Sequence, residues 1–276
     1  MAMRIRLSCP SCLQQLGTSP KESSGSQSFP SPFVLVPLRD DCRYQIKCSH
    51  GHEHSVVVTN MRFELLFDAG AHALANGYAR EAVADFASAL EGFLLFYIRV
   101  VCRVQQVDPA LIDKLVKEIK LSERRWGAMY LAHLLHTKKP FATPLDGDKW
   151  RSFRNGIVHE RKICTDEKAT EFAAVVYNTI RPTIISLRVG NPAEVEAEET
   201  ADSAARGGGT IAPHPFLLRN PAMAGTIQMN VRAGADTISH STIGTVLALR
   251  AHALNKSFQE AFEEWRAGSD VVERKT

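Results

Sequence analysis

The chain has 276 residues, enough for one good-sized domain with smaller attachments. Apolar residues make up 45% and charged residues 23%, which excludes wholesale disorder. The net charge of +3 excludes a polycationic nucleic-acid sleeve, so any contact with RNA must be local.

At the N-terminus, Cys9 arrives before the apolar core of a secretory signal could form. The longest apolar stretch, Phe93 to Val101, is about half of the roughly 20 residues a membrane-spanning helix needs, and Arg99 interrupts it. A cytoplasmic protein with no membrane partner is expected. Composition divides the chain into a Cys/His-bearing segment, 1–60, a helical domain, 61–190, a flexible linker, 191–210, and a C-terminal region of strand and helix, 211–276. The linker is inferred from its acidic run at Glu194 to Glu199 and from Gly207 to Gly209, which offer little to bury.

In the first segment, Cys9-Pro10-Ser11-Cys12 is a CxxC knuckle, two thiolates that can grip one side of a tetrahedral zinc ion. The stretch from Thr18 to Pro32, rich in Ser, Gly and Pro, reads as a loop. Downstream, Cys48-Ser49-His50-Gly51-His52-Glu53-His54 supplies a further thiolate and three imidazoles between two strands, Arg43 to Ile46 and Ser55 to Val58. The segment resembles a zinc ribbon. Cys9, Cys12, Cys48 and His52 are the expected ligands, with His50, His54 and Cys42 open as substitutes for the fourth. Four protein ligands make a structural zinc, because a catalytic one keeps a position for water.

The helical domain opens with a helix over Met61 to Ala75. A longer one follows, in which Tyr78, Ala82, Phe86, Leu90, Phe93, Tyr97, Val100 and Val104 recur at three- and four-residue spacing. A second stripe through Ala84, Ala87, Leu95 and Ile98 implies burial over more than one face. Glu91 lies inside that second stripe, and a carboxylate there needs a partner. Further helices are predicted over Pro109 to Lys120, Ser122 to Thr137, Asp148 to Glu160 and Asp166 to Leu187, with Asp108 as a cap before Pro109 and Asp146-Gly147-Asp148 as a turn. Short connections favour an up-and-down helical bundle. The cations Lys114, Lys117, Lys120, Arg124 and Arg125 read as a solvated face, and His133 and His136 as ordinary histidines. Beyond the linker, Thr226 to Arg232 alternates like a strand, and Thr242 to Trp265 reads as an amphipathic helix whose Phe258, Phe262 and Trp265 dock on the bundle or on a second subunit.

The helix from Asp148 carries the chemistry. Trp150, Phe153 and Ile157 share its apolar face, Arg151, Asn155 and His159 recur on another, and Arg154 is long enough to reach the same place. Gly156 in the interior points to close approach by another backbone or a ligand. An Arg beside a His offers a cation for a phosphate and an imidazole that moves a proton near neutral pH.

Arg154-Asn155-Gly156-Ile157-Val158-His159, with Gly77-Tyr78-Ala79-Arg80-Glu81-Ala82-Val83 and Ala89-Leu90-Glu91-Gly92-Phe93-Leu94 upstream, resembles the HEPN family (higher eukaryotes and prokaryotes nucleotide-binding), whose ribonuclease motif is Arg-x4-His with Asn preferred after Arg. The resemblance runs from about Arg62 to Leu187. It implies a mainly α, HEPN-like up-and-down bundle, here with a small N-terminal β zinc ribbon and a short C-terminal α+β appendage. It also implies a homodimer whose two motifs face one cleft, and a toxin-like or phage-defence role. The expected activity is metal-independent endonucleolytic cleavage of RNA by its own 2′-hydroxyl. Arg154, Asn155 and His159 would be catalytic, with Glu91 and Arg151 supporting and Glu91 orienting Arg154 or His159. The alternative is a non-catalytic HEPN-like module that dimerises and binds nucleic acid or protein. A regulatory protein partner fits either reading.

Overall fold

The computed structural model describes residues 4–12, 33–145, 148–207, 238–241, 257–263 and 266. Among these residues the protein is mainly helical, with two small sheets, and the chain divides into two compact units: Met1–Asn60 with Thr200–Gly244, and Met61–Glu199 with Thr245–Thr276.

The first unit holds the sheets. Strand β1 (Arg4–Ser8) pairs antiparallel with β2 (Phe33–Pro37), Arg4 opposite Pro37. The predicted hairpin is present as β3 (Arg43–Lys47) and β4 (Glu53–Val58), in a register that sets Arg43 opposite Val57 and Lys47 opposite Glu53. Alternation puts Tyr44 and Ile46 inside while Gln45 and Lys47 face water. A third strand, β5 (Ile238–Ser241), runs parallel to β4 with Ser55 opposite Ile238. It comes from the stretch that composition had set apart as a C-terminal region. Its partner lies far back in the chain, and a four-residue strand paired at such separation leaves no local signature.

The second unit is built on helices α1 (Arg62–Ala75), α2 (Ala79–Val104), α3 (Pro109–Glu118), α4 (Ser122–Thr137), α5 (Asp148–Val158) and α6 (Asp166–Gly190). Their ranges follow the predicted periodicity closely. Helix α2 is the axle: Ala82, Phe86, Ala89, Phe93, Tyr97 and Val100 are buried, and so are Ala87, Leu94 and Ile98 on the adjoining face. It can bury two faces because α1, α3, α4, α5 and α6 all pack on it. Gly70 lets α1 approach, since a Cβ there would stand 2.8 Å from the Phe86 ring. Asp108 caps α3, accepting from the Ala110 N–H at 2.8 Å ahead of Pro109. Asp146 and Gly147, the predicted turn before α5, lie outside the described residues.

The predicted flexible linker is overturned over most of its length. Residues Pro192–Gly207 form helix α7. Val195 is buried, Glu198 takes Arg103 at 2.8 Å and Arg99 at 3.7 Å, and Glu199 takes Arg188 at 2.8 Å. An acidic run looks unburiable in isolation, but cations on α2 and α6 give it partners. Arg206, near its end, donates to the Asn60 carbonyl at 2.8 Å within the first unit.

Phe258 and Phe262 join the core of the helical unit, with the Phe258 ring 5.8 Å from Tyr177 and 6.1 Å from Phe67. The predicted strand Thr226 to Arg232, and most of the predicted helix Thr242 to Trp265, lie outside the described residues. Among the described residues no helix is long and apolar enough to cross a membrane.

Candidate functional site

Helix α5 is seated by its apolar face. Ile157 is buried, and Trp150 and Phe153 pack on Phe172 of α6 with ring centroids 5.9 and 5.7 Å away. That seating turns Arg154 toward α2 and α4. Its guanidinium forms an ion pair with Glu91, and it also reaches Ser122 Oγ at 3.4 Å and Asn155 Oδ1 at 3.1 Å. The second Glu91 oxygen accepts from Arg125 at 2.8 Å. The carboxylate predicted to need a partner thus has two, one of them from the cation run that looked like a solvated face. Nothing in the local sequence separated Arg125 from Arg124, which stays exposed.

Asn155 braces Arg154, Arg151 is exposed along the same helix, and His159 is exposed just past its end, its backbone N–H donating to the Asn155 carbonyl at 2.9 Å. Among the described residues no side-chain hydrogen bond joins His159 to Arg154. The chain then doubles back, so that Lys162 N–H donates to the Gly156 carbonyl at 3.0 Å. The nearest protein approach at Gly156 is made by the Lys162 stem, whose Cδ would stand 3.0 Å from a Cβ there.

Beside Arg154 a pocket opens to solvent, with Glu91, Ser122, Glu123, Arg151 and Arg154 as its polar lining and Trp126, Tyr130 and Trp150 among its apolar lining. The sequence alone gives Trp126 and Tyr130 no role, since an aromatic pair at i, i+4 is an ordinary helix pattern.

His133 and His136 are used elsewhere: His133 Nδ1 lies 2.9 Å from Tyr97 Oη, and His136 Nε2 lies 3.3 Å from Asn191 Nδ2.

In the sheet unit, the knuckle after β1 and the β3–β4 turn bring Cys9, Cys12, Cys48 and His52 together, their donor atoms all within 4.8 Å of one another. The turn closes through Cys48 N–H to the His52 carbonyl at 3.0 Å, and Gly51 takes the left-handed conformation it requires. His52 Nδ1 lies 3.7, 3.4 and 3.5 Å from the sulfurs of Cys9, Cys12 and Cys48. Ligands around one tetrahedral zinc stand roughly 3.5–3.8 Å apart, so the spacing fits a metal ion of that kind.

The thiol chemistry fits as well. Burial opposes ionisation of Cys48, but N–H groups of His50 and His52 and the neighbouring thiols bring it down to about 6. Burial, with the thiols of Cys9 and Cys48, pushes Cys12 up to about 12. Crowded sulfurs cannot all ionise alone, and a central cation would let them.

The three substitutes fare differently. Cys42 is turned away, its sulfur donating to the Arg39 carbonyl at 3.4 Å and accepting from Arg206 at 3.2 Å. His54 meets Ser11 Oγ at 3.0 Å. His50 reaches Cys12 at 3.2 Å but stands outside the group of four mutually close donors.

Comparison with known proteins gives no match for this chain among protein-family models, curated proteins or solved structures.

Proposed function

We propose that the helical unit is a HEPN-like, metal-independent endoribonuclease of the cytoplasm, acting as a toxin or phage-defence effector, and that the Cys/His cluster holds a structural zinc. One observation carries the reading. Helix α5 is pinned to α2 through Arg154 and Glu91, so a braced guanidinium stands at the rim of an open pocket while an imidazole stays exposed at the end of the same helix.

The chemistry follows from those groups. The RNA 2′-oxygen attacks the adjacent phosphorus, the bond from phosphorus to the 5′-oxygen breaks, and the products are a 2′,3′-cyclic phosphate and a 5′-hydroxyl. Arg154 neutralises charge on the phosphorane, and Asn155 keeps the guanidinium in plane. His159 either takes the proton from the 2′-hydroxyl or returns one to the 5′-oxygen. The motif supplies one imidazole where two proton transfers are needed, which is the physical case for a homodimer with both motifs in one cleft.

The test is incubation of purified parent, Arg154→Ala and His159→Ala proteins with total cellular RNA in EDTA, followed by end-group analysis. The parent alone should cut and leave cyclic phosphate ends, with each substitution lowering the rate by about 10²- to 10⁴-fold. Intact RNA in every lane, or equal cutting by all three, would sink the proposal.

A second reading is favoured by the engagement of Arg154 with Glu91, Ser122 and Asn155, which also suits a structural bridge. In that case the unit is a non-catalytic module that dimerises and binds nucleic acid or a regulatory protein. It predicts RNA retention without cleavage in the same assay.

A further inference from the structure

We infer that the pocket beside Arg154 is a nucleobase subsite: one base of a single-stranded RNA stacks on Trp126 and Tyr130 while its flanking phosphate meets Arg151 and Arg154. The position of the phosphate rests on the ribonuclease reading. The base site rests on the pocket itself.

Two indoles and a phenol from α4 and α5 line one concavity. Trp126 and Trp150 are only partly buried, and Tyr130 is 38% exposed. Rings of this size contribute most to stability when fully buried, so leaving part of each at one solvent-open hollow forgoes stabilisation that a closed core would have gained. The rings are ordered among themselves, Trp126 lying 5.7 Å from Tyr130 and Tyr130 6.0 Å from Phe141. A prearranged aromatic wall suits a flat π-system, which stacks with little loss of side-chain freedom.

The charged lining selects the ligand class. Arg151 and Arg154 line the pocket together with Glu91 and Glu123, and Glu91 is itself held by Arg154. A purely apolar ligand would cover these charged groups without pairing them, at a desolvation cost. Inorganic phosphate would leave the rings unused. A nucleotide unit, planar at one end and anionic at the other, uses both the rings and the guanidinium groups.

The experiment uses the full-length chain carrying His159→Ala, so that bound RNA survives, and two fluorescein-labelled ten-nucleotide single strands: one of mixed sequence, and one with the same backbone but no bases. Affinity is read by anisotropy, and occupancy of the pocket by tryptophan emission. Two of the three tryptophans of the chain, Trp126 and Trp150, line the pocket.

The expected result is quenching on binding the base-bearing strand, with Trp126→Leu and Tyr130→Leu each weakening that strand roughly five- to hundredfold and leaving the abasic strand unchanged. Thermal melting checks that each variant is folded. If Trp126→Leu is not, the exposed Tyr130 ring carries the test. Equal affinity of the parent for both strands, or no loss on either substitution in a folded protein, overturns the base subsite and leaves backbone binding only.

Cleavage assays on the His159-bearing chain separate the two ideas. Base-dependent binding without cleavage by the parent would retire the nuclease reading and keep the subsite. Cleavage with an unchanged KM in Trp126→Leu would do the reverse.

Discussion

Glu91 and Arg154, 63 positions apart in the chain, form the ion pair that ties α5 to α2, and the other Glu91 oxygen holds Arg125 of α4 at 2.8 Å. One carboxylate joins three helices. All three side chains are partly buried, at 19–25% exposure, which places the interaction between a surface pair and a fully desolvated one. Glu91→Gln keeps the shape and removes the charge, leaving two guanidinium groups without their counter-ion. It should lower stability by about 1–2 kcal/mol, measured by urea unfolding. Arg125→Ala should destabilise comparably yet leave RNA cleavage close to the parent rate, whereas Arg154→Ala should lose both. A Glu91→Gln protein as stable as the parent would mean that the three-helix junction contributes nothing.

Metal content offers an independent check on the sheet unit. Purified protein should carry one zinc per chain by elemental analysis, and Cys9→Ser or Cys48→Ser should lose it. Removal by a strong chelator should abolish protection of the backbone amides of β3 and β4 against hydrogen exchange while leaving most of the helical circular dichroism intact. Cys42→Ser, outside the cluster, should retain the metal. Loss of metal on that substitution would show that the ligand set has been misassigned.

Asp85 sets a pH dependence. Burial, reinforced by the charge of Glu81, raises its pKa from 3.8 to about 6. Because the folded-state value is raised, the folded protein holds this proton more tightly than the unfolded chain does. The contribution to stability is therefore full at pH below about 4 and is lost as pH rises through 6. At neutral pH the side chain is a charged group in a half-buried place. Asp85→Asn should raise stability at pH 7 by about 1 kcal/mol, and the gain should shrink toward zero at pH 4. A gain that is independent of pH would point to packing in place of ionisation.

Gly156 tests the surroundings of the motif. Alanine gains roughly 1 kcal/mol of helix propensity over glycine, and the obstacle it meets is the Lys162 stem, a flexible side chain that can shift. Gly156→Ala should be neutral or slightly stabilising in thermal melts and should leave RNA cleavage intact. A strong loss of stability would show that Lys162 cannot give way.

Much of this architecture was legible in the residues themselves. The stripe from Ala82 to Val100 and its neighbour through Ala87 and Ile98 require a long helix buried on two sides, because apolar side chains at that spacing have no other way out of water, whereas Tyr78, at the head of the predicted stripe, caps the helix and is exposed. The Ser122–Thr137 helix has the predicted ends, and Cys9, Cys12 and Cys48 of the clustered donors follow from their spacing, while the choice of His52 over His50, His54 and Cys42 came from the folded turn. These features are local: their signals lie within a few turns of helix or one hairpin. What tertiary structure alone decided was partnership at a distance. That Arg125 turns inward to Glu91 while Arg124 stays in water, that Trp126 and Tyr130 meet Trp150 around one hollow, that Ile238–Ser241 extends the sheet of β4, and that the acidic stretch after Pro192 is a helix held by Arg99, Arg103 and Arg188, all depend on residues about ten to nearly two hundred positions away. A charge or a ring shows its chemistry in the sequence, but its partner is chosen by packing, which depends on the geometry of the whole unit.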